Sequence, residues 1–190
     1  MQPVRRMRRT ERREQILCAA SRAFSRRGFV STGLDDVATE AGISRVLLYR
    51  HFDSKADLYR AVLDHACARL TEAVDADQLD ADGLPALFRA ASADPDGFRL
   101  LFRHAAREPE FRAFTDTLTA TSTEVAYRSL AQYVPAGPWL DWSAQVVPAF
   151  AIEAVIAWLD AGRPDPDAAA ARVDRAIRGI IESARDDATS

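Results

Sequence analysis

Apolar side chains recur at helical spacing along most of the chain. Ile16, Leu17, Ala20, Ala23 and Phe24 form the first stripe, with Thr10 as a candidate cap before it and Gly28 as a stop after it. A short second helix, about Leu34 to Ala41, halts at Gly42, and a third runs from Ser44 through Phe52. Ser54 and Asp57 make a capping-box variant that opens a fourth helix, whose Leu58, Val62, Ala66 and Leu70 share one face. Further helices are expected near 84–92, 95–107, 110–133, 139–161 and 166–185, separated by Gly and Pro. No segment of useful length alternates with the period of a strand. The pattern predicts an all-α chain of about nine helices, with an N-terminal three-helix domain followed by an antiparallel helical body.

Charge divides the chain in the same way. Residues 1–60 carry thirteen basic side chains against seven acidic ones, whereas residues 61–190 carry twelve against twenty-one. A net charge of −3 conceals this split, which points to nucleic acid at the N-terminal end. Residues 1–9 are Arg-rich and aperiodic, a basic arm, and the acidic stretch Asp75–Gly83 reads as a linker or exposed turn. Cys18 and Cys67 lie far apart with no CxxC and no His close in sequence, so they read as reduced, buried thiols; neither a metal nor a cofactor is expected. The N-terminal apolar run is too short for a signal peptide, and no stretch of about 18 uninterrupted apolar residues marks a membrane span. A cytoplasmic chain without membrane partners is the expectation.

Residues 34–52, LDDVATEAGISRVLLYRHF, meet the demands of a helix-turn-helix. Ala38 is small where two helices cross, Gly42 supplies a positive φ to the turn, and Ser44 caps the second helix. Val37, Ile43, Leu48 and Phe52 point inward. Arg45, Val46, Tyr49 and Arg50 are then left on the outer side of the recognition helix. Arg45 is placed to bond a guanine edge and Val46 to touch a thymine methyl. Tyr49, Arg50, His51, Lys55 and Thr32 are placed for phosphates, which set register more than sequence.

With these residues in hand, segment 31–63, STGLDDVATEAGISRVLLYRHFDSKADLYRAVL, resembles the tetracycline-repressor (TetR) family of bacterial regulators. The likeness extends over residues 10–70 and rests on the first-helix pattern, DDVA, AGIS, LYRHF and SKADL. It implies a homodimer, a DNA half-site read by each recognition helix, and a ligand cavity in the body. The implied division is a basic arm at 1–9, a DNA-binding domain at 10–55 and a ligand-binding and dimerisation domain at 56–190. By motif position Arg45, Val46, Tyr49, Arg50, His51 and Lys55 become DNA contacts, beside Ser44 and Thr32. Gly33 departs from the family by standing where many members have a capping Ser or Thr, which shifts the cap to Thr32 or weakens it. Val46-Leu47 replaces a common small-residue–Thr pair, so a base preference does not carry over.

The helix near 139–161 is apolar around its circumference, with Asp141, Glu153 and Asp160 its only charges between 140 and 160. Together with the last helix it predicts a two-fold four-helix interface using Trp142, Val146, Phe150, Val155, Trp158, Val173, Ile177 and Ile180. Pro148 predicts a kink or break within it. An aromatic-rich set on the intermediate helices, Phe88, Phe98, Leu101, Phe102, Phe114, Leu118, Tyr127 and Leu130, is either simple core packing or the lining of a cavity. If a cavity, it suits an apolar or aromatic effector, with Arg103, His104 or Tyr127 as polar handles. No G-x-S-x-G, phosphate-binding Gly loop, HExxH or zinc spacing is present, so catalysis is not expected. The reading is a repressor released by a small molecule. Its alternatives are an activator or constitutive DNA binder, and, more distantly, a helical ligand-binding protein with a purely structural helix-turn-helix.

Overall fold

The structure, a computed structural model, describes residues 8–74 and 83–186. The basic arm up to residue 7 and the acidic stretch 75–82 lie outside the described residues. The helices are α1 (Arg9–Ser31), α2 (Leu34–Ala41), α3 (Arg45–Tyr49), α4 (Lys55–Ala73), α5 (Gly83–Ala93), α6 (Pro95–Arg99), α7 (Arg112–Leu130), α8 (Pro138–Asp160) and α9 (Pro166–Asp186). Between α6 and α7 the chain passes through a π turn at Leu100–His104 and two 3₁₀ turns, Ala105–Arg107 and Pro109–Phe111. No strand occurs among the described residues.

Local chemistry sets the boundaries, not always where the pattern puts them. α1 starts one residue before Thr10, because the Glu11 carboxylate accepts the Arg8 N–H at 2.9 Å and closes the first turn. Gly28 breaks α1 with φ 76° and ψ 172°, and a last turn carries Phe29 back over the helix. Phe29 then meets Phe24, Tyr59 and Phe111 at ring-centre distances of 6.2, 4.9 and 5.2 Å. α2 ends in a Schellman motif: Gly42 is left-handed at φ 64°, the Ile43 N–H reaches Ala38 O at 3.0 Å, and the Gly42 N–H reaches Thr39 O at 3.1 Å. α3 is shorter than the pattern implies, ending at Tyr49 with Arg50 and His51 in a turn. α4 opens as expected, with Ser54 accepting from the Asp57 N–H at 3.0 Å and Asp57 accepting from the Asp53 N–H at 3.0 Å.

Among the described residues, three apolar clusters hold the helices together. The first joins Ile16, Phe24, Val37, Leu48, Phe52, Leu58 and Tyr59 to Leu100, Leu101 and Phe111, so the core runs without interruption across residue 55. The second packs Phe88 and Phe98 against Val155, Trp158, Val173 and Ile177. The third gathers Ala126, Leu130, Val134, Leu140 and Ala184. α8 continues through Pro148 without a break, one of the two expected outcomes; the missing N–H leaves the Ala144 carbonyl without its usual donor. α8 is long and apolar enough to cross a membrane, with a mean hydropathy of 1.4 over its most apolar window. It packs against α5, α7 and α9. Its C-terminal Asp160 is clasped by Arg99 at 3.1 Å and Arg103 at 2.8 Å.

Candidate nucleic-acid interface

The turn at Gly42 aims α3. Ser44 caps it, its hydroxyl accepting the Leu47 N–H at 3.3 Å, and Leu48 is buried beneath it against the first cluster. One inward side chain on so short a helix determines the rest. Arg45, Val46, Tyr49 and Arg50 are exposed, with Val46 68% and Tyr49 44% accessible. Two exposed apolar side chains flanked by two guanidiniums form a surface that water solvates poorly and a DNA groove would cover well.

Arg45 is already oriented. Its Nη1 donates to Asp35 Oδ2 at 2.9 Å and its Nη2 to the Tyr49 hydroxyl at 3.2 Å, while its guanidinium carbon lies 5.5 Å from the Tyr49 ring centre. A guanidinium has five N–H groups, so three remain for a base or phosphate. The partner Asp35 is itself exposed, so this contact exchanges readily for a stronger one. The sequence reading missed Asp35 because nothing in its spacing relates it to Arg45, ten positions away.

Other candidates are placed differently. Lys55, at the start of α4, donates to Val30 O at 3.1 Å and stands 4.5 Å from the Phe29 ring centre, which leaves part of its ammonium for another acceptor. Val30 beside it is 77% exposed and was not foreseen. His51 is half-buried, and burial together with the nearby Arg9, Arg13 and Arg12 lowers its pKa, favouring the neutral ring. Thr32 needs correction as a phosphate contact. It is fully buried, and its hydroxyl lies 2.8 Å from Gly28 O and 3.3 Å from Ala23 O, anchoring the carbonyl end of α1. Nor does it cap α2: Gly33 holds that position, with its N–H bonded to Asp36 at 2.8 Å.

The basic excess is partly spent inside the domain. Arg22 and Arg26 of α1 both grip Glu40 of α2, whose carboxyl is thereby held below its ordinary range, and Arg27 meets Asp36 at 3.2 Å. These surface pairs link α1 to α2 and offset part of the basic charge. Arg45 and Arg50 on α3 and Arg8, Arg9 and Arg13 at the start of α1 are also exposed.

Comparison with known proteins agrees with this geometry. The sequence profile of bacterial regulatory proteins of the tetR family matches residues 16–62. Over 69 residues the chain is 46% identical to the HTH-type transcriptional activator FasR of Mycolicibacterium smegmatis, covering 36% of this chain and 32% of that protein. Over 54 residues it is 50% identical to the HTH-type transcriptional regulator TtgR of Pseudomonas putida, covering 28% and 26%. The chain is similar to the TetR family over this N-terminal segment. Its matches span about a third or less of those relatives' length. The body is supported by shape: a TetR-like transcriptional regulator from a Rhodococcus species superposes with a TM-score of 0.78, covering 92% of this chain and 98% of that one at 24% identity. That likeness establishes the fold.

Two of the expectations for the body meet the structure as follows. First, the aromatic set does not gather around one cavity among the described residues. Phe114 and Leu118 pack on the first cluster, Phe88 lies in the second, and Tyr127 and Leu130 belong to the third. Phe102 bridges the first two and meets Phe98 at 4.7 Å. Arg103 is engaged with Asp160, and His104 is half-buried with its pKa lowered by burial and by Arg107 and Arg103. Phe98 and Leu101 do border a cavity of about 90 Å³, shared with Ala66, Leu70 and Ala90 between α4, α5 and α6. Second, Val155, Trp158, Val173 and Ile177 of the expected interface are buried in the second cluster, where they pack in this chain's own core. Trp142 and Phe150 are exposed, and Val146 and Ile180 half-exposed. Although no His is close to Cys18 in sequence, the fold sets His65 of α4 beside it.

Proposed function

We propose that the protein is a cytoplasmic, dimeric transcriptional regulator that binds operator DNA through α3. The observation that carries this reading is the outward face of α3, where Val46 and Tyr49 stand exposed between Arg45 and Arg50. The charge split and the 16–62 family match support it independently. Base contact falls to Arg45 and Val46, and phosphate contact to Tyr49, Arg50, Lys55 and the α3 cap at Ser44.

Dimerisation is supported by the apolar surface left on α8, where Trp139, Trp142 and Phe150 are 45%, 41% and 37% exposed. On α9, Ala176, Gly179 and Ser183 are exposed at spacings of three and four, small enough for a second helix to approach closely. Two such subunits would present two copies of α3 to half-sites about one DNA turn apart.

Release by an apolar or aromatic effector is the further part of the proposal. The 90 Å³ cavity bordered by Phe98 and Leu101 is smaller than the roughly 150 Å³ that admits benzene. An effector entering there would have to part α4 from α5 and α6. Because α4 shares its core with α1 and α3, that movement would shift the recognition helices and change operator affinity by population shift. An activator is the second reading, since one of the relatives is an activator by name. Selection of sites from random duplex DNA by the purified protein tests the proposal. Recovery of an inverted repeat is expected; recovery of unrelated sequences would overturn it.

A further inference from the structure

Beyond DNA binding, one cluster of chemistry-bearing side chains joins α1 to α4. Glu14 and Cys18, four residues apart on α1, face His65 of α4, and one ligand atom from each lies within 4.8 Å of the others. His65 Nε2 is 3.1 Å from Glu14 Oε1, yet this buried nitrogen has no hydrogen bond of adequate direction. Cys18 and His65 also line a cleft of about 220 Å³, together with Ser21, Arg22, Arg69, Asp94 and Asp96. Ser21 is 6% exposed, and its hydroxyl there is likewise buried without a partner. A folded protein rarely leaves two such polar groups unsatisfied at one spot, because each costs about 1–3 kcal/mol.

We propose that Glu14, Cys18 and His65 form a binding site for a divalent transition-metal ion, with Zn²⁺ the ion best suited to them. A thiolate, an imidazole and a carboxylate are the three side-chain donors that zinc accepts, whereas Mg²⁺ and Ca²⁺ take oxygen alone. Spacing of i and i+4 puts two donors one helical turn apart on one face, and the third arrives from the neighbouring helix. Tetrahedral zinc needs donors about 3.3–3.8 Å apart, so the widest pair must close by about 1 Å. Glu14 is exposed and long enough to rotate in. Three protein donors leave a fourth position, open to solvent through the cleft. Arg22 and Arg69 work against a cation there, while Asp94, with Oδ2 3.8 Å from Arg69, screens one of them. Binding releases the Cys18 thiol proton to solvent as the metal–sulfur bond forms. The ion would tie α1 to α4, the helix that continues from the DNA-binding end into the body.

The test uses the reduced full-length chain. Titration with Co²⁺ should give one equivalent bound per chain, with thiolate-to-cobalt charge-transfer absorption that one equivalent of Zn²⁺ abolishes. Cys67→Ser should keep that absorption and Cys18→Ser should lose it, while His65→Gln and Glu14→Gln should each weaken Co²⁺ binding about tenfold or more. The unmutated chain gives a second measurement that needs no variant: Zn²⁺ should slow alkylation of Cys18 and leave that of Cys67 unchanged. Absence of the charge-transfer band, its survival in Cys18→Ser, or equal Cys18 alkylation with and without Zn²⁺ would overturn the proposal.

Discussion

Tyr59→Phe should make the protein more stable. Tyr59 sits on α4 with no accessible surface, its ring 4.5 Å from Phe111 and 4.9 Å from both Phe24 and Phe29, centre to centre. Its hydroxyl is buried with no hydrogen-bond partner, and burial, followed by the charge of Glu108, pushes the phenol's pKa up. An unsatisfied buried hydroxyl costs about 1–3 kcal/mol. Phenylalanine keeps the ring packing and leaves a void of roughly one oxygen atom, worth about 0.3 kcal/mol. The net expectation is a gain of about 1–2.5 kcal/mol, or about 2–10 °C in Tm for a chain this long. Urea unfolding followed by circular dichroism, repeated at several protein concentrations to separate out subunit association, measures it. Tyr59→Ala, which also removes the ring, should instead lose about 3–5 kcal/mol. If Tyr59→Phe destabilises the protein by about 1 kcal/mol or more, the hydroxyl has a partner after all, with Glu108 the nearest charged candidate, and the reasoning fails.

Three further outcomes follow from the same structure. Gly42→Ala should destabilise by about 1–2 kcal/mol, because alanine must adopt a left-handed φ although nothing lies within 4 Å of its added carbon; an unchanged urea midpoint would contradict this. His51 and His104 both have folded-state pKa values below the ordinary 6.5, so the unfolded chain binds more protons than the folded one. Unfolding free energy should therefore be level above about pH 7 and decline as the pH falls below about 6.5, with a shallower decline in His104→Gln; a rise toward acid would refute the sign. Trp142→Glu combined with Phe150→Glu should convert a dimer to a monomer in light scattering, whereas a dimer that persists would remove α8 from the interface.

Periodicity located most helices because each buries a stripe whose spacing is visible in the residues themselves. α4 and α8 are examples, and the capped turn at Gly42 was legible because a left-handed position strongly favours glycine. What escaped the sequence depends on neighbours distant along the chain. Whether Thr32 faces solvent or the end of α1 is decided by two carbonyls, at Ala23 and Gly28, and not by its own polarity. Val155 and Trp158 look the same as Trp142 and Phe150 in an all-round apolar helix, and only the position of Phe88 and α9 tells core from surface. The same limit hid His65 from Cys18, which are 47 positions apart but adjacent across two helices.

The claim that α3 reads DNA is tested most directly by operator binding of Arg45→Ala/Tyr49→Ala. Fluorescence anisotropy on the site recovered by selection, at fixed salt, gives the affinity, and light scattering with circular dichroism verifies the fold and assembly. The account predicts that the double variant keeps both, but loses about a hundredfold or more in specific affinity, so that it binds the selected site no better than random duplex. Specific affinity equal to that of the unmutated protein would contradict it.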